Sequence, residues 1–538
     1  MYTVELTESL FTAQTDTPFR ATTIAEMLRE QAEERGDKLA LRELLEDGSI
    51  DREWSYAELL ADSEKLARAL AARHDRGARI AIMANNLPEW ILMECASAIA
   101  GLTLVTVNPA FNARELRYVL EQSASQAVYY VAAVRGNPLG PIVETACEGL
   151  AAIAHKILLT DHDALFTGHE SGETRATEPD DVVQIQYTSG TTGFPKGALL
   201  HQKGLIQNAA DIFRRTKASA DDSLVLMVPL FHTAGCAISV LGSLTHGMTI
   251  LLAPGYDPQM IARVIERERP TMTGGVPTML FGLVEEAEKT GRDLSSIKGV
   301  TCGGAMVAPE LSRRVRETIG ATIQIIYGQT EASPGITMAG IDDAEEDLTQ
   351  TIGQSLPHMD VAILEAGGSR VCDIGEQGEI CVRGYNVMTG YNDNPEATAE
   401  TIDANGWLRT GDLGTMDARG YLKITGRVKE MIIRGGENLF PAEIENAMLE
   451  HPALAEVAVV GVPDEKWGEL VACFMRAGDG EKPDADDLKT FVRERLAPHK
   501  TPSFWIWVDE WPMTGSGKIQ KFAMAEAFER GEYDALTA

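Results

Sequence analysis

An α/β fold with largely parallel strand pairing is predicted: a large N-terminal domain of packed α/β subdomains plus a β-rich layer, then a small α+β C-terminal domain. Three features lead there. The 538 residues exceed what one ordinary core accommodates, so two or more domains are required. Strand-like and helix-like segments alternate through the first third of the chain and again through the middle, the pattern of parallel strands joined by crossover helices. The character then changes twice. Short strands with many glycines and acidic turns begin at Gly353, and a block of about 110 residues, a sensible small domain, follows Gly426.

The elements follow in chain order. Ser55-Tyr-Ala-Glu58 reads as a capping box, and Leu59, Ser63, Leu66 and Leu70 recur at helical spacing, so Ser55–Arg73 is predicted as an amphipathic helix. Arg79–Met83 and Leu104–Val107 are short β-type runs, separated by the turn Asn85–Trp90 and an apolar helix. Gln126–Ala132 and Lys156–Thr160 read as further buried strands. In the middle region, Ser223–Val228 and Met248–Ala253 are predicted strands with an apolar helix between them. Tyr256–Arg269 is a helix halted by Pro270, and Thr322–Tyr327 is another strand. In the last block, Phe440-Pro-Ala-Glu443 starts a helix with proline at a permitted first-turn position. Glu456–Val462 is a strand, and Asp486–Leu496 is a helix.

Bulk chemistry excludes several function classes. Lys+Arg 48 against Asp+Glu 80 gives a formal charge of −32, which disfavours nucleic acid and acidic lipid surfaces as partners. The longest apolar stretches are broken by Gly, Thr and Ser and fall short of the roughly 20 residues that span a bilayer. The N-terminus is acidic and lacks the basic start and apolar run of a secretory signal; the C-terminus carries no recognisable address, so a cytoplasmic location is expected. Seven cysteines, at 95, 147, 236, 302, 372, 381 and 473, lack the spacing of a metal or redox motif and are expected as reduced, mostly buried thiols.

The strongest local signal is Tyr187-Thr-Ser-Gly-Thr-Thr-Gly-Phe-Pro-Lys-Gly197, which follows the β-type run Val182–Tyr187. Its glycines let backbone N–H groups converge on an anion. Its hydroxyls add donors, and Lys196 adds positive charge. It is not a Walker A loop, because it lacks the four-residue gap and the Lys-Ser/Thr ending.

This loop resembles the phosphate-binding signature of the adenylate-forming superfamily, which includes acyl-CoA synthetases, aryl-CoA ligases, peptide-synthetase adenylation domains and luciferases. Further matches follow in the expected order: Pro229-Leu-Phe-His-Thr-Ala234, Cys302-Gly-Gly-Ala305, Tyr327-Gly-Gln-Thr-Glu331 and Gly378–Gly384. Then come Gly406–Asp412, Gly426-Arg-Val-Lys-Glu430 running on to Gly435-Gly-Glu-Asn438, and Pro512–Lys518. The resemblance is closest to medium-chain fatty acyl-CoA synthetase-like members. It implies a division at 1–427, binding AMP and acid, and 428–538, a mobile C-terminal domain.

The resemblance also implies roles. Thr188, Ser189, Gly190, Thr191, Thr192, Gly193 and Lys196 would cradle phosphates. Gly303, Gly304 and Ala305 would leave a slot for adenine, which Tyr327 could close by stacking beside Gly328. Asp412 resembles the ribose-binding aspartate, and Arg427 the arginine that contacts the ribose or adenylate. Thr330 would hold the α-phosphate, and Glu331 the catalytic Mg²⁺, with Thr188 beside it. Lys518 would reach the reacting carboxylate and α-phosphate. His232 would gate the acid and thiol path. Lys429 would be the hinge, and Gly435 and Gly436 would admit the pantetheine arm of coenzyme A. His232, Gly303, Ala332, Ser333 and Gly335 are expected near an acyl pocket with room for a medium- to long-chain, cyclic or arylalkanoic acid.

The implied activity is an AMP-forming acid–CoA ligase using ATP, Mg²⁺ and CoA, acting on small molecules, with a homodimer as the family-level expectation. Alternatives are a stand-alone adenylation enzyme loading a carrier protein, a luciferase-like oxygenase, which has no distinguishing sequence support, or a catalytically silent nucleotide-binding protein. Retention of Glu331, Asp412, Arg427 and Lys518 argues against the last.

Overall fold

The computed structural model describes residues 1–538 except 175, 189–194, 306, 435–436, 465, 479–481, 514–518 and 538; for 429, 437, 438 and 537 it describes the backbone alone. The described residues build two large mixed sheets, an antiparallel five-stranded sheet and a separate C-terminal sheet.

The first large sheet runs Gly390–Tyr391, Lys196–His201, Val182–Thr188, Thr103–Val107, Arg79–Met83, Ala127–Tyr130 and His155–Leu158. From Val182–Thr188 to His155–Leu158 its pairings are parallel. Every residue of Thr103–Val107 is buried, as continuous apolar strands covered on both faces require. The strand Arg79–Met83 and the helix Tyr56–Arg73 fall where the sequence puts them. Ser55 caps that helix by accepting from Glu58 N–H at 3.2 Å, while the Glu58 carboxylate accepts from Ser55 N–H at 2.8 Å.

The second large sheet runs Gln354–Ser355, Gly335–Met338, Thr322–Gly328, Gly299–Gly303, Met272–Gly275, Ser223–Leu226, Thr249–Leu252, Leu39–Leu44 and Ile50–Ser55. It is parallel from Thr322–Gly328 to Leu39–Leu44. The five-stranded sheet, Leu10–Phe11, Met359–Leu364, Gly378–Gly384, Leu408–Met416 and Leu422–Arg427, is antiparallel throughout and is the expected β-rich layer. The C-terminal sheet pairs Leu454–Asp464 with Gly468–Ala477 along their length and carries its own apolar clusters around Trp505 and Phe474.

Several elements differ from expectation. The apolar helix between Ser223–Leu226 and Thr249–Leu252 is a π-helix over Ala234–Leu241, continuing as α-helix through Gly242–Thr245. Side chains capture carbonyls there: Ser239 Oγ donates to Ala234 O, five residues back, at 2.8 Å, and the Cys236 thiol reaches His232 O. The strand expected at Glu456–Val462 extends to Leu454–Asp464, drawn out by its long hairpin partner, and the helix expected to Leu496 ends at Arg493. The helix expected before Pro270 does stop there: Pro258–Glu268 is closed by Arg269 in the left-handed region at φ 55°. All seven cysteines are free and buried. Among the described residues, no helix is long and apolar enough to cross a membrane.

Candidate active site

Thr188, Gly303 and Gly328 each end a strand that runs parallel to a neighbour, and open α/β sheets present ligands at such carboxyl ends. Beyond Gly328 the chain makes a single 3-10 turn, Thr330–Ala332, and returns antiparallel through Gly335–Met338. Gly328 is required by close approach: a Cβ there would lie 1.9 Å from Pro334 O.

The turn carries Glu331, whose Oε1 accepts from two hydroxyls, Tyr391 Oη at 2.7 Å and Thr188 Oγ1 at 3.3 Å. Its carbonyl accepts from Met388 N–H at 2.9 Å. Lys196, which opens the strand after the glycine-rich loop, places Nζ 5.2 Å from the Tyr391 ring centroid. Glu331, Thr188 and Lys196 therefore meet around one tyrosine. Thr330 lies beside Glu331 in the same turn.

A second carboxylate stands on the five-stranded sheet. Asp412 and Arg427 are cross-strand partners; Arg427 Nε lies 2.8 Å from Asp412 Oδ1, while Tyr327 Oη donates to Oδ2 at 2.9 Å. The Asp412 side chain is 8% exposed and that of Arg427 57%, so the carboxylate is buried and its paired cation reaches the surface. Tyr327 and Tyr391 are held as phenols. Burial pushes both hydroxyls up, and the charge of the facing carboxylate, Asp412 or Glu331, adds to it.

The small residues divide into two groups. Gly304 sits in the left-handed region at φ 80° and is exposed, as is Ala305, leaving open space beside the end of the strand. A Cβ on Gly303 would meet Ile326 O at 2.5 Å, so strand packing already requires that glycine. Ala332 and Ser333 are fully buried, and Gly335 is buried against Asn208 and Ile212. These three pack the underside of the turn that carries Glu331. His232 is half-buried at the entry to the π-helix, with its ring 6.2 Å from that of Phe231. Ser189, Gly190, Thr191, Thr192, Gly193, Gly435, Gly436 and Lys518 lie outside the described residues, and Lys429 is described by its backbone alone, in the 3-10 turn Val428–Glu430.

Two features escaped the sequence reading. Tyr391 is one; its signal was Gly390-Tyr391 preceding the Asn394 cap of the helix Pro395–Thr401. The other is a buried polar chain under the strand Val182–Thr188: Gln184 Nε2 donates to Glu94 Oε1 at 2.6 Å, and Gln186 Nε2 donates to Gln184 Oε1 at 2.9 Å and to Cys236 Sγ at 3.1 Å. Burial raises the Glu94 carboxyl well above its usual range.

The AMP-binding enzyme family matches residues 28–392, and the AMP-binding enzyme C-terminal domain matches 443–518. The medium-chain acyl-CoA ligase ACSF2, mitochondrial, of Bos taurus is 34% identical over 88% of this chain and 83% of its own. ATP-bound MatB from Rhodopseudomonas palustris superposes with a TM-score of 0.84 at 27% identity, over 94% of this chain and 99% of that one. The o-succinylbenzoate CoA synthetase MenE of Bacillus subtilis, in complex with its acyl-adenylate intermediate, superposes with a TM-score of 0.80 at 30% identity, over 93% and 97%. With the glycine-rich loop, the Glu331 turn and the Asp412–Arg427 pair in the family order, the chain belongs to the AMP-binding enzyme family, within the adenylate-forming superfamily of acyl-CoA synthetases and ligases.

Proposed function

We propose that this enzyme joins a medium- to long-chain, cyclic or arylalkanoic acid to coenzyme A in two half-reactions, through an acyl-adenylate. In the first, a carboxylate oxygen attacks the α-phosphorus of ATP and pyrophosphate leaves. In the second, the thiol sulfur attacks the acyl carbon and AMP leaves. The medium-chain part of that range is supported by the medium-chain ligase among the relatives.

The observation that carries the reading is the pair of carboxylates, Glu331 in the turn beyond the strand Thr322–Gly328 and Asp412 within the strand Leu408–Met416, each anchored by a tyrosine hydroxyl. Asp412 accepts the ribose diol: its two oxygens offer about four acceptor positions, of which Tyr327 and Arg427 occupy two. Arg427 follows the ribose or the adenylate. The donor set suits Mg²⁺ brought in by the nucleotide. Glu331 provides one carboxylate with the Thr188 hydroxyl beside it, and among the described residues no group of three or more ligating side chains holds a resident metal. An ion ligated chiefly by triphosphate oxygens and water needs no more, and would neutralise charge on the departing pyrophosphate. Thr330 holds the α-phosphate, Lys196 and residues 188–193 hold the outer phosphates, and Gly304 and Ala305 flank the adenine with Gly303 and Gly328.

Residues 1–427 form the body and 428–538 the moving unit, hinged at Lys429. In one orientation Lys518 neutralises charge on the transferring oxygens; in the other, Gly435 and Gly436 line the pantetheine path. His232 gates the acid. Reduced thiols favour the cytoplasm.

The test is acid-dependent exchange of pyrophosphate into ATP across acids from acetate to palmitate, with aromatic and arylalkanoic members, followed by CoA-dependent AMP release. The reading requires exchange with acids larger than acetate and AMP release with free CoA. Preference for acetate sinks the pocket argument; exchange with thioester formation only on a carrier protein sinks the CoA assignment.

A further inference from the structure

Glu331 presents its two carboxylate oxygens to different surroundings. Oε1 accepts from both Tyr391 and Thr188, whereas Oε2 has no hydrogen-bond partner among the described residues. The tyrosine that makes this distinction is held from several sides. Its backbone pairs with Ala198 on the strand Lys196–His201, its N–H donates to Thr398 Oγ1 at 2.9 Å, and the following Asn392 N–H donates to Gly197 O at 2.8 Å. The preceding Gly390 packs so tightly on Thr398 that a Cβ would lie 3.0 Å from its methyl carbon. Tyr391 is thus anchored to the strand that carries Lys196, yet its hydroxyl ends on a different sheet, at the Glu331 turn.

We propose that Tyr391 is a positioning residue of the nucleotide site: its hydroxyl locks the Glu331 carboxylate so that Oε2 faces the nucleotide-borne divalent cation, and its ring face holds the Lys196 ammonium beside the phosphates. This rests on the reading of Glu331 as the metal carboxylate. The two functions use different parts of one side chain, so they separate by mutation. Tyr391→Phe removes the hydroxyl and keeps the ring. Tyr391→Leu removes both.

The experiment measures binding rather than turnover, on the full chain. Mn²⁺ affinity is read by electron paramagnetic resonance in the presence of a non-hydrolysable ATP analogue, and affinity for the same analogue is read by calorimetry in EDTA. Tyr391→Phe is expected to weaken Mn²⁺ about tenfold, the value of a hydrogen bond to a charged acceptor, with metal-free analogue affinity unchanged. Tyr391→Leu is expected to weaken metal-free analogue binding as well, by about threefold. Glu331→Gln is the control for the underlying reading. If it weakens Mn²⁺ and Tyr391→Phe does not, the hydroxyl assignment falls and the metal reading stands. If Glu331→Gln itself leaves Mn²⁺ unchanged, the metal reading falls and takes the hydroxyl assignment with it. Equal metal-free affinities in Tyr391→Leu and wild type overturn the Lys196 role.

Discussion

Asn208 satisfies both backbone polar groups of Gly335: its Oδ1 accepts from Gly335 N–H at 2.8 Å, and its Nδ2 donates to Gly335 O at 2.8 Å. Gly335 is the return limb of the turn that carries Glu331, and Asn386 Nδ2 donates to Ala332 O in the same turn at 3.1 Å. Buried amides thus set the height of the carboxylate from beneath.

Asn208→Ala should therefore be costly. It leaves the buried Gly335 N–H without its acceptor and removes a donor from the carbonyl, a loss of about 3 kcal/mol. Urea unfolding checks this, and a loss below about 0.5 kcal/mol would show that the turn finds other partners.

Asp412→Asn separates function from folding. The substitution preserves size and an acceptor for Tyr327, and the cation it abandons, Arg427, is 57% exposed, so stability should shift by less than about 1 kcal/mol. The KM for ATP should rise at least about tenfold, because the diol loses a charged acceptor. Unchanged KM in pyrophosphate exchange would remove Asp412 from the ribose.

Glu94 gives a pH-dependent prediction. Its folded carboxyl is raised well above the ordinary 4.5 by burial, with the Gln184 amide pulling the other way. Between 4.5 and the raised value the folded state keeps a proton that the unfolded state has lost. Its contribution is therefore complete below the unfolded value and declines as pH rises towards the folded one. Glu94→Gln lacks this dependence. Relative to the variant, the wild type should lose stability between pH 5 and pH 8, measured by urea unfolding at both; parallel profiles would mean that Glu94 is ionised in the fold.

Much of the architecture was legible because local and tertiary preferences agree. Arg79–Met83 is an apolar run because it is covered on both faces, and Ser55 with Glu58 marks a helix start that the fold uses unchanged. The π-helix was not legible, since Ala234–Leu241 has the composition of any apolar helix. Tyr391 was missed for a different reason. Its contact with Glu331 joins positions 60 residues apart on different sheets, and no local period reports such a meeting. Ala332, Ser333 and Gly335 looked like spare room because small residues serve a pocket and a tight turn equally well; here all three are buried, and Ser333 and Gly335 lie against the helix Gln202–Arg215.

The most direct test of the two-state account is Lys518→Ala assayed in each half-reaction. Acyl-adenylate formation from acid and MgATP should fall by about a thousandfold, the scale of removing a preorganised charge from developing negative oxygens. Thioester formation from supplied acyl-AMP and CoA should keep most of its rate. Equal loss in both half-reactions would contradict the account.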